Sequence, residues 1–312
     1  MRWVVAGAAG FIGSHLCDHL LADGHEIVGV DCLVTGRREN LAGALQSPNF
    51  TFIEHDVRTP LTVDGPVDRV LNLASPASPV DFDRIPLFIL ETGSLGTQHL
   101  LDLALAKGAR FFQASTSEAY GDPEVHPQPE TYNGNVSSTG PRSCYDEAKR
   151  YGEALVMAYH RAHGLDVRIA RIFNTYGERM RPDDGRVVCS FIDQALAGRP
   201  LTVFGDGGQT RSFVHVSDEV RGLLAVIEGP LTGPVNVGNP AEITMLQLAH
   251  RVVAACESSS EVQLLPLPAG REGDPNRRCP NVGLLATFSD WRPVVGLDDG
   301  LRRTIDWMRS VA

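Results

Sequence analysis

Apolar and polar positions in the first half of the chain alternate between two periods. The short runs "RWVVAG", "HEIVGVD", "NFTFIEHD", "DRVLNLAS", "RFFQAST" and "DVRIARI" are rich in β-branched and aromatic residues and nearly continuous, as strands buried on both faces are. Between them lie stretches of helical spacing, from about Phe11 to Asp23, through "ILETGSLGTQHLLDLALAKGA", and from about Cys144 to His163. This rhythm predicts an α/β fold, a doubly wound (Rossmann) parallel sheet with helices on both faces. Past Asn174 the rhythm breaks into Gly/Pro-rich segments such as "RMRPDDGR" and "FGDGGQTRS", with helices expected near 187–198, 216–228, 244–256 and 298–309. A smaller, mixed α/β C-terminal lobe is expected there, with residues 1–173 and about 210–240 in the sheet domain and about 174–209 and 241–312 in the lobe. The lobe should close over the carboxyl ends of the strands, where open α/β sheets hold ligands.

Composition narrows the function classes. The 312 residues are 43% hydrophobic and 21% charged, ordinary for a globular chain able to bury a large core. The net charge of −10 argues against a nucleic-acid partner, so an anionic ligand must be met by local arginines. No signal-like start and no membrane-length apolar stretch is present, so a cytoplasmic protein without a membrane partner is expected. The six cysteines, at 17, 32, 144, 189, 256 and 279, form no CxxC pair and no Cys/His spacing, so reduced thiols and no metal are expected.

Two motifs carry chemistry. In "GAAGFIG", Gly7, Gly10 and Gly13 stand between the first strand and the first helix, where glycines let a pyrophosphate approach the helix N-terminus. Asp31 follows at the end of the second strand, placed to accept from adenosine ribose hydroxyls and to repel a 2′-phosphate, which predicts NAD. Arg37 and Arg38 could greet such a phosphate, although a solvated helix start accounts for them, and Asp56 at the end of the third strand is a candidate for the adenine amino group. In "YDEAK", Tyr145 and Lys149 lie four residues apart on one helix face. Lys149 is one of only two lysines, and an ammonium beside a phenol is expected to lower its pKa and make it a base.

Together with "LASPASP", "ASTSEAYGDPEVHPQPE", "GPRSCYDEAKR", "RIFNTYGERM", "DGRVV" and "FGDGGQTRSFVHVSD", these motifs make the chain resemble, over nearly its whole length, the extended short-chain dehydrogenases/reductases acting on nucleotide sugars. Within them it is most similar to the UDP-glucuronate decarboxylase (UDP-xylose synthase) family. The resemblance implies that Thr116, Glu118, Tyr145 and Lys149 are catalytic. It implies NAD contacts from Phe11, Ile12, Cys32, Thr35, Gly36, Val57, Leu73, Ser75, Thr92, Ala114 and Thr175, besides Tyr145 and Lys149. It implies contacts to the substrate, UDP-glucuronate, from Glu118, Asn174, Gln209, Arg211 and Arg278, with Arg186 serving either ligand; Arg271 and Arg277 add to the positive charge of the lobe. A homodimer built on the helices at about 85–107 and 144–163 is also implied.

The implied reaction oxidises C4 of the sugar, loses carbon dioxide from the resulting β-keto acid, and reduces the 4-ketopentose to UDP-xylose. Nucleotide-sugar 4,6-dehydratases carry an aspartate at the Ser117 position, able to protonate a departing hydroxyl, and serine does not do that readily at neutral pH. GDP-mannose dehydratases share the "TSE" arrangement, so a 4-epimerase or 4,6-dehydratase stays open as an alternative, as does a non-catalytic NAD-binding regulatory protein. One departure stands out. Where the family commonly has "KTN", this chain has Glu91 and Gly93 in "ETGSLGT", which puts a lysine contact to the substrate in doubt.

Overall fold

The computed structural model describes residues 1–266 and 277–311. Arg271 lies outside the described residues. Six of the apolar runs are strands: β1 (Arg2–Ala6), β2 (Glu26–Asp31), β3 (Phe50–Glu54), β4 (Arg69–Asn72), β5 (Arg110–Thr116) and β6 (Val167–Ile172). A seventh strand, Pro234–Val237, returns from far down the chain and pairs parallel with β6. The order across the sheet is seventh strand, β6, β5, β4, β1, β2, β3, so the winding reverses between β1 and β4. That reversal opens a crevice at their carboxyl ends.

The near-continuous apolar runs are explained by burial on both faces. Val4, Ala6, Val28, Val30 and Phe111 point to one side, and Trp3, Val5, Ile27, Leu71 and Phe112 to the other. The second side is covered by α1 (Phe11–Ala22), whose Leu16 and Leu20 are fully buried. The first is covered in part by a helical stretch that differs from the uniform helix expected through residues 89–109. It consists of α2 (Pro79–Arg84), α3 (Pro86–Glu91), a π-helical turn at Thr92–Gly96 and α4 (Thr97–Lys107). The hydroxyls of Thr92 and Ser94 donate to the carbonyls of Phe88 and Leu90 at 2.7 Å each, competing with the backbone ladder where it widens. Gly93 lets this turn lie against α5 (Ser143–His163), because a β-carbon there would come 2.6 Å from that of Ala148.

The second half contains the expected helices within about two residues: α6 (Val187–Leu196), α7 (Val216–Glu228), α8 (Met245–Ala255) and α9 (Leu297–Val311). Helix α7 packs on the sheet, its Leu223, Val226 and Ile227 sharing a core with Leu16 and Leu20 of α1. Val188 and Ile192 of α6, Leu248 of α8, and Leu301 and Ile305 of α9 instead form a separate core. Short strands complete this part, Leu201–Phe204 beside Val262–Leu265, and Thr210–Ser212 between Glu242–Thr244 and Arg277–Arg278. Each is too short and irregular in pattern to stand out in the sequence. No helix among the described residues is long and apolar enough to cross a membrane.

Asn236 in the seventh strand stitches the two regions together. It is fully buried; its Oδ1 accepts from the Tyr120 hydroxyl at 2.8 Å, and its Nδ2 donates to the carbonyls of Gln128 and Asn281 at 2.9 and 3.0 Å. Replacing it by Leu takes the acceptor from the buried Tyr120 hydroxyl and a donor from the carbonyls of Gln128, which still accepts from the Asn281 N–H, and of Asn281, each lost hydrogen bond costing about 1 kcal/mol or more. Asn236→Leu is therefore expected to lower stability by about 3 kcal/mol or more, read as a fall in the urea midpoint at unchanged slope. An unchanged midpoint would refute that role.

Candidate active site

The crevice continues into a cleft of about 780 Å³ between the strand ends and the C-terminal segments. A smaller cavity of about 60 Å³ adjoins it, sharing Gly7, Gly10, Thr35, Leu73 and Ser75. Every residue for which a catalytic, NAD or substrate role is expected lines one or the other, whereas Arg37, Arg38 and Arg277 line neither. Phe11, Ile12, Gly13, Ala114, Thr116, Glu118, Tyr145, Lys149, Asn174, Thr175, Arg186, Gln209, Arg211 and Arg278 line the cleft. Asp31, Cys32, Gly36, Asp56, Val57 and Thr92 line the smaller cavity.

The glycine turn is required by close packing. Gly7 has φ of 82°, and a β-carbon on it would lie 2.7 Å from the carbonyl carbon of Leu73 at the end of β4. One on Gly13 would overlap the Gly7 carbonyl oxygen. The bare backbone leaves a shallow cradle at the start of α1, where unpaired N–H groups favour an anion. Beside it, the Ser75 hydroxyl is buried without a hydrogen-bond partner among the described residues. Asp31 accepts from the N–H groups of Ala9 and Leu33 at 3.0 and 2.8 Å, which fixes its carboxylate at the cavity wall. Burial pushes its pKa up, against the pull of those N–H groups. These features fit a dinucleotide with a free adenosine ribose.

Asp56 has a partner that the sequence did not reveal. Arg58 grips it through Nη2 at 2.7 Å, lies over the Phe88 ring and reaches Glu91 Oε2 at 2.5 Å. Arg58 thereby holds the Asp56 carboxyl below the usual range. Glu91 therefore faces Arg58 and does not line the cleft, so its bearing on substrate contact is smaller than the sequence implied. Arg37 and Arg38 pair with Glu39 and Glu54 and line neither cavity. Arg277 is likewise outside, an exposed cation 3.9 Å from Glu242.

At the floor of the cleft, β5 ends at Thr116 and a 3₁₀ turn (Ser117–Tyr120) begins. Thr116 Oγ1 accepts from the Glu118 N–H at 3.2 Å and hydrogen-bonds the Tyr145 phenol, while Tyr145 stacks on Phe82 with ring centroids 5.2 Å apart. Lys149 Nζ donates to the Ala114 carbonyl at 2.9 Å and lies 5.7 Å from the Tyr145 ring centroid. The expected lowering of the phenol by this ammonium is not what the geometry gives. Burial dominates both groups, pushing Tyr145 up to about 12 despite the Thr116 hydrogen bond, and Lys149 down to about 8.

Glu118 is held between two arginines. Arg278 donates through Nη1 to Oε1 and through Nη2 to Oε2, the latter at 3.0 Å, and Arg142 Nη2 meets Oε2 at 2.8 Å. Burial alone would raise the carboxyl, but the two guanidinium groups outweigh it and bring it down to about 2. Glu118 is thus a fixed anion. Arg186, also on the cleft, is held by Asp184, its Nη2 donating to Oδ2 at 2.9 Å. Asn174 Nδ2 donates to the Ser212 carbonyl at 3.4 Å, and Thr175 Oγ1 to that of Phe173 at 2.9 Å.

Sequence reasoning missed Arg142, Phe82 and Asp146. The first and last stand in the quoted "GPRSCYDEAKR" within three residues of Tyr145, but nothing local says which neighbours face Glu118. Asp146 is buried, and its Oδ1 has no hydrogen-bond partner among the described residues. Burial, and then the Glu118 charge, raise it from 3.8 to about 7. A folded-state pKa above the unfolded one means the native protein binds the extra proton between those values, so stability falls as pH rises from about 4 to about 7. Asp146→Asn removes this cost. The variant is expected to match wild type near pH 4 and to gain on it towards pH 7, by on the order of 4 kcal/mol, in denaturant titrations at a series of pH values. A gap independent of pH would contradict the assignment.

Known proteins share this architecture and sequence. The family model described as the NAD dependent epimerase/dehydratase family matches residues 3–238. UDP-glucuronic acid decarboxylase 1 of Arabidopsis thaliana is 48% identical over 310 residues, covering 99% of this chain and 70% of that protein. The enzyme of the same name from Danio rerio is 48% identical over 306 residues, covering 98% and 72%. Among solved structures, UDP-glucuronic acid 4-epimerase from Bacillus cereus, in complex with UDP-glucuronic acid and NAD, superposes with a TM-score of 0.87 at 28% identity over 100% of both chains. By the family model and by its near full-length relatives, the chain belongs to the NAD dependent epimerase/dehydratase family, in the group of the UDP-glucuronic acid decarboxylases.

Proposed function

We propose that this protein decarboxylates UDP-glucuronate to UDP-xylose, with NAD as a cofactor that is regenerated in each turnover. The observation that carries this is 48% identity to decarboxylases over 98–99% of this chain, on a cleft where Ser117, and not an ionisable acid, follows Thr116. When bound, NAD+ supplies a hydride acceptor for C4 of the sugar, a donor for the return step, and a positive charge beside the phenol.

The chain's own residues do the rest. Tyr145 takes the proton of the 4-hydroxyl, with Thr116 hydrogen-bonded to the phenol oxygen; a phenol at about 12 needs the added positive charge to do so near neutral pH. Lys149, fixed on the Ala114 carbonyl, orients the nicotinamide ribose. Once C4 is a ketone, the C6 carboxylate belongs to a β-keto acid. The C5–C6 bond breaks, carbon dioxide leaves, and the electron pair moves onto the C4 oxygen, where the Tyr145 and Thr116 hydroxyls stabilise it. A proton added at C5 gives the 4-ketopentose, and Tyr145 then returns its proton to the C4 oxygen as C4 regains the hydride, which gives UDP-xylose and restores the oxidised cofactor. Arg278, with its Nε buried and unpaired among the described residues, and Arg186 and Arg211 supply donors for carboxylate and diphosphate. Glu118 acts here by fixing Arg278, since its own carboxyl stays ionised.

Exposed Leu87, Leu90, Leu95 and Tyr151 on α3, the π turn and α5 support a two-fold homodimer through these helices. With UDP-glucuronate and NAD+, the purified protein is expected to release carbon dioxide and form UDP-xylose with no net NADH, followed by mass spectrometry and proton resonance. An epimer with its carboxylate retained would replace this proposal with a 4-epimerase. Tyr145→Phe is expected to lower kcat by about 10²–10⁴-fold while leaving UDP affinity, read by calorimetry, nearly unchanged. Turnover close to wild type would remove Tyr145 from the proton path.

A further inference from the structure

Outside the cleft, the fold brings together three ligand-type side chains that are far apart in sequence. His126 stands in the segment after the Glu118 turn, Glu242 opens the strand Glu242–Thr244, and Cys279 directly follows the strand Arg277–Arg278. One ligand atom from each lies within 4.8 Å of the others. We propose that His126, Glu242 and Cys279 form a zinc-binding site, with water as the fourth ligand.

Four observations carry this. The ligand set is an imidazole, a carboxylate and a sulfur, which favours zinc over magnesium or calcium. His126 Nε2 and Glu242 Oε2 are already 2.9 Å apart. Atoms around tetrahedral zinc lie about 3.2–3.7 Å from one another, so closing on the metal needs side-chain shifts of about 1 Å. The ligands are also held from behind. The Cys279 N–H donates to Gln128 Oε1 and the Gln128 N–H to the Cys279 carbonyl, each at 2.9 Å, while the Thr210 hydroxyl donates to Glu242 Oε1 at 2.6 Å. Finally, His126 Nδ1 is buried without a hydrogen-bond partner among the described residues. The ring therefore has an unused nitrogen, and turning it exchanges which one faces the cluster. Glu242 is exposed, which gives an ion a route in, and Cys279 is 2% exposed, which shields the sulfur from oxidants. On binding, a zinc–sulfur bond forms, the thiol proton passes to solvent and no electrons are exchanged.

The consequence for the cleft is positional. Cys279 is the neighbour of Arg278, so a metal here ties the His126 segment and the Glu242 strand to the residue that holds Glu118. The test uses the full chain freed of metal and titrated with cobalt(II), whose thiolate charge-transfer absorption reports sulfur ligation, and then with zinc. Wild type and Cys32→Ser are expected to develop the band at one-to-one stoichiometry, to lose it to zinc, and to gain in Tm with zinc. Cys279→Ser should abolish the band. Glu242→Gln should weaken cobalt binding at least as much as the 10–100-fold cost typical of losing an outer-shell partner. No band in wild type, a band that survives in Cys279→Ser, or full affinity in Glu242→Gln would overturn the proposal. Should Cys279→Ser not fold by circular dichroism, the Glu242→Gln titration decides alone.

Discussion

The cleft depends on one buried ion triad. Glu118 leaves the sheet at the end of β5, Arg142 precedes α5, and Arg278 arrives from the C-terminal region. Three charges taken out of water are unfavourable unless each is met, and here a single carboxylate answers two guanidinium groups. Three segments are thus bound to common coordinates beside Tyr145. Removing Glu118 would leave the buried Arg278 guanidinium without its counter-charge, a far larger cost than the net gain from the intact group. The triad is better understood as specifying where the C-terminal segments sit than as a source of stability.

The same electrostatics shape the proton chemistry. Burial raises the phenol of Tyr145 and lowers the ammonium of Lys149, so in the bare protein both groups favour their neutral forms more than they would in water. The site withholds reactivity from its own residues. Thr116, bonded to the phenol and capping the turn that carries Glu118, couples this latent base to the anchored anion two residues on.

What was legible in the sequence was local. "GAAGFIG" works because its glycines meet one another and the neighbouring strand end, and "YDEAK" because four residues on a helix share a face; spacing alone conveys both. The strand rhythm gave the parallel sheet because doubly covered strands must be apolar throughout. Contacts across the fold were not legible. Glu91 reads in the sequence as a change in the substrate site, but it is engaged by Arg58, 33 residues earlier in the chain, a pairing that no local pattern conveys. The response of Tyr145 to Lys149 is not legible for a related reason: spacing conveys proximity, whereas desolvation depends on everything packed around the pair, Phe82 included. Arg142 and Asp146 stood in plain view in a quoted motif, yet their roles depend on Glu118, which lies on another element.

The π-helical turn at Thr92–Gly96 has a consequence for evolution along this lineage. A wider turn amounts to one extra residue in an otherwise regular helix, and it offsets everything after it by about 100° of rotation. Thr92, which opens the π turn, faces the smaller cavity, while Leu100, Leu101 and Ala104 after the turn face the sheet. One continuous helix therefore serves two customers whose directions no single helical phase would satisfy. A lineage that deleted a single residue here would keep its helix and lose its aim, so this short stretch should tolerate substitution far more readily than any change in length.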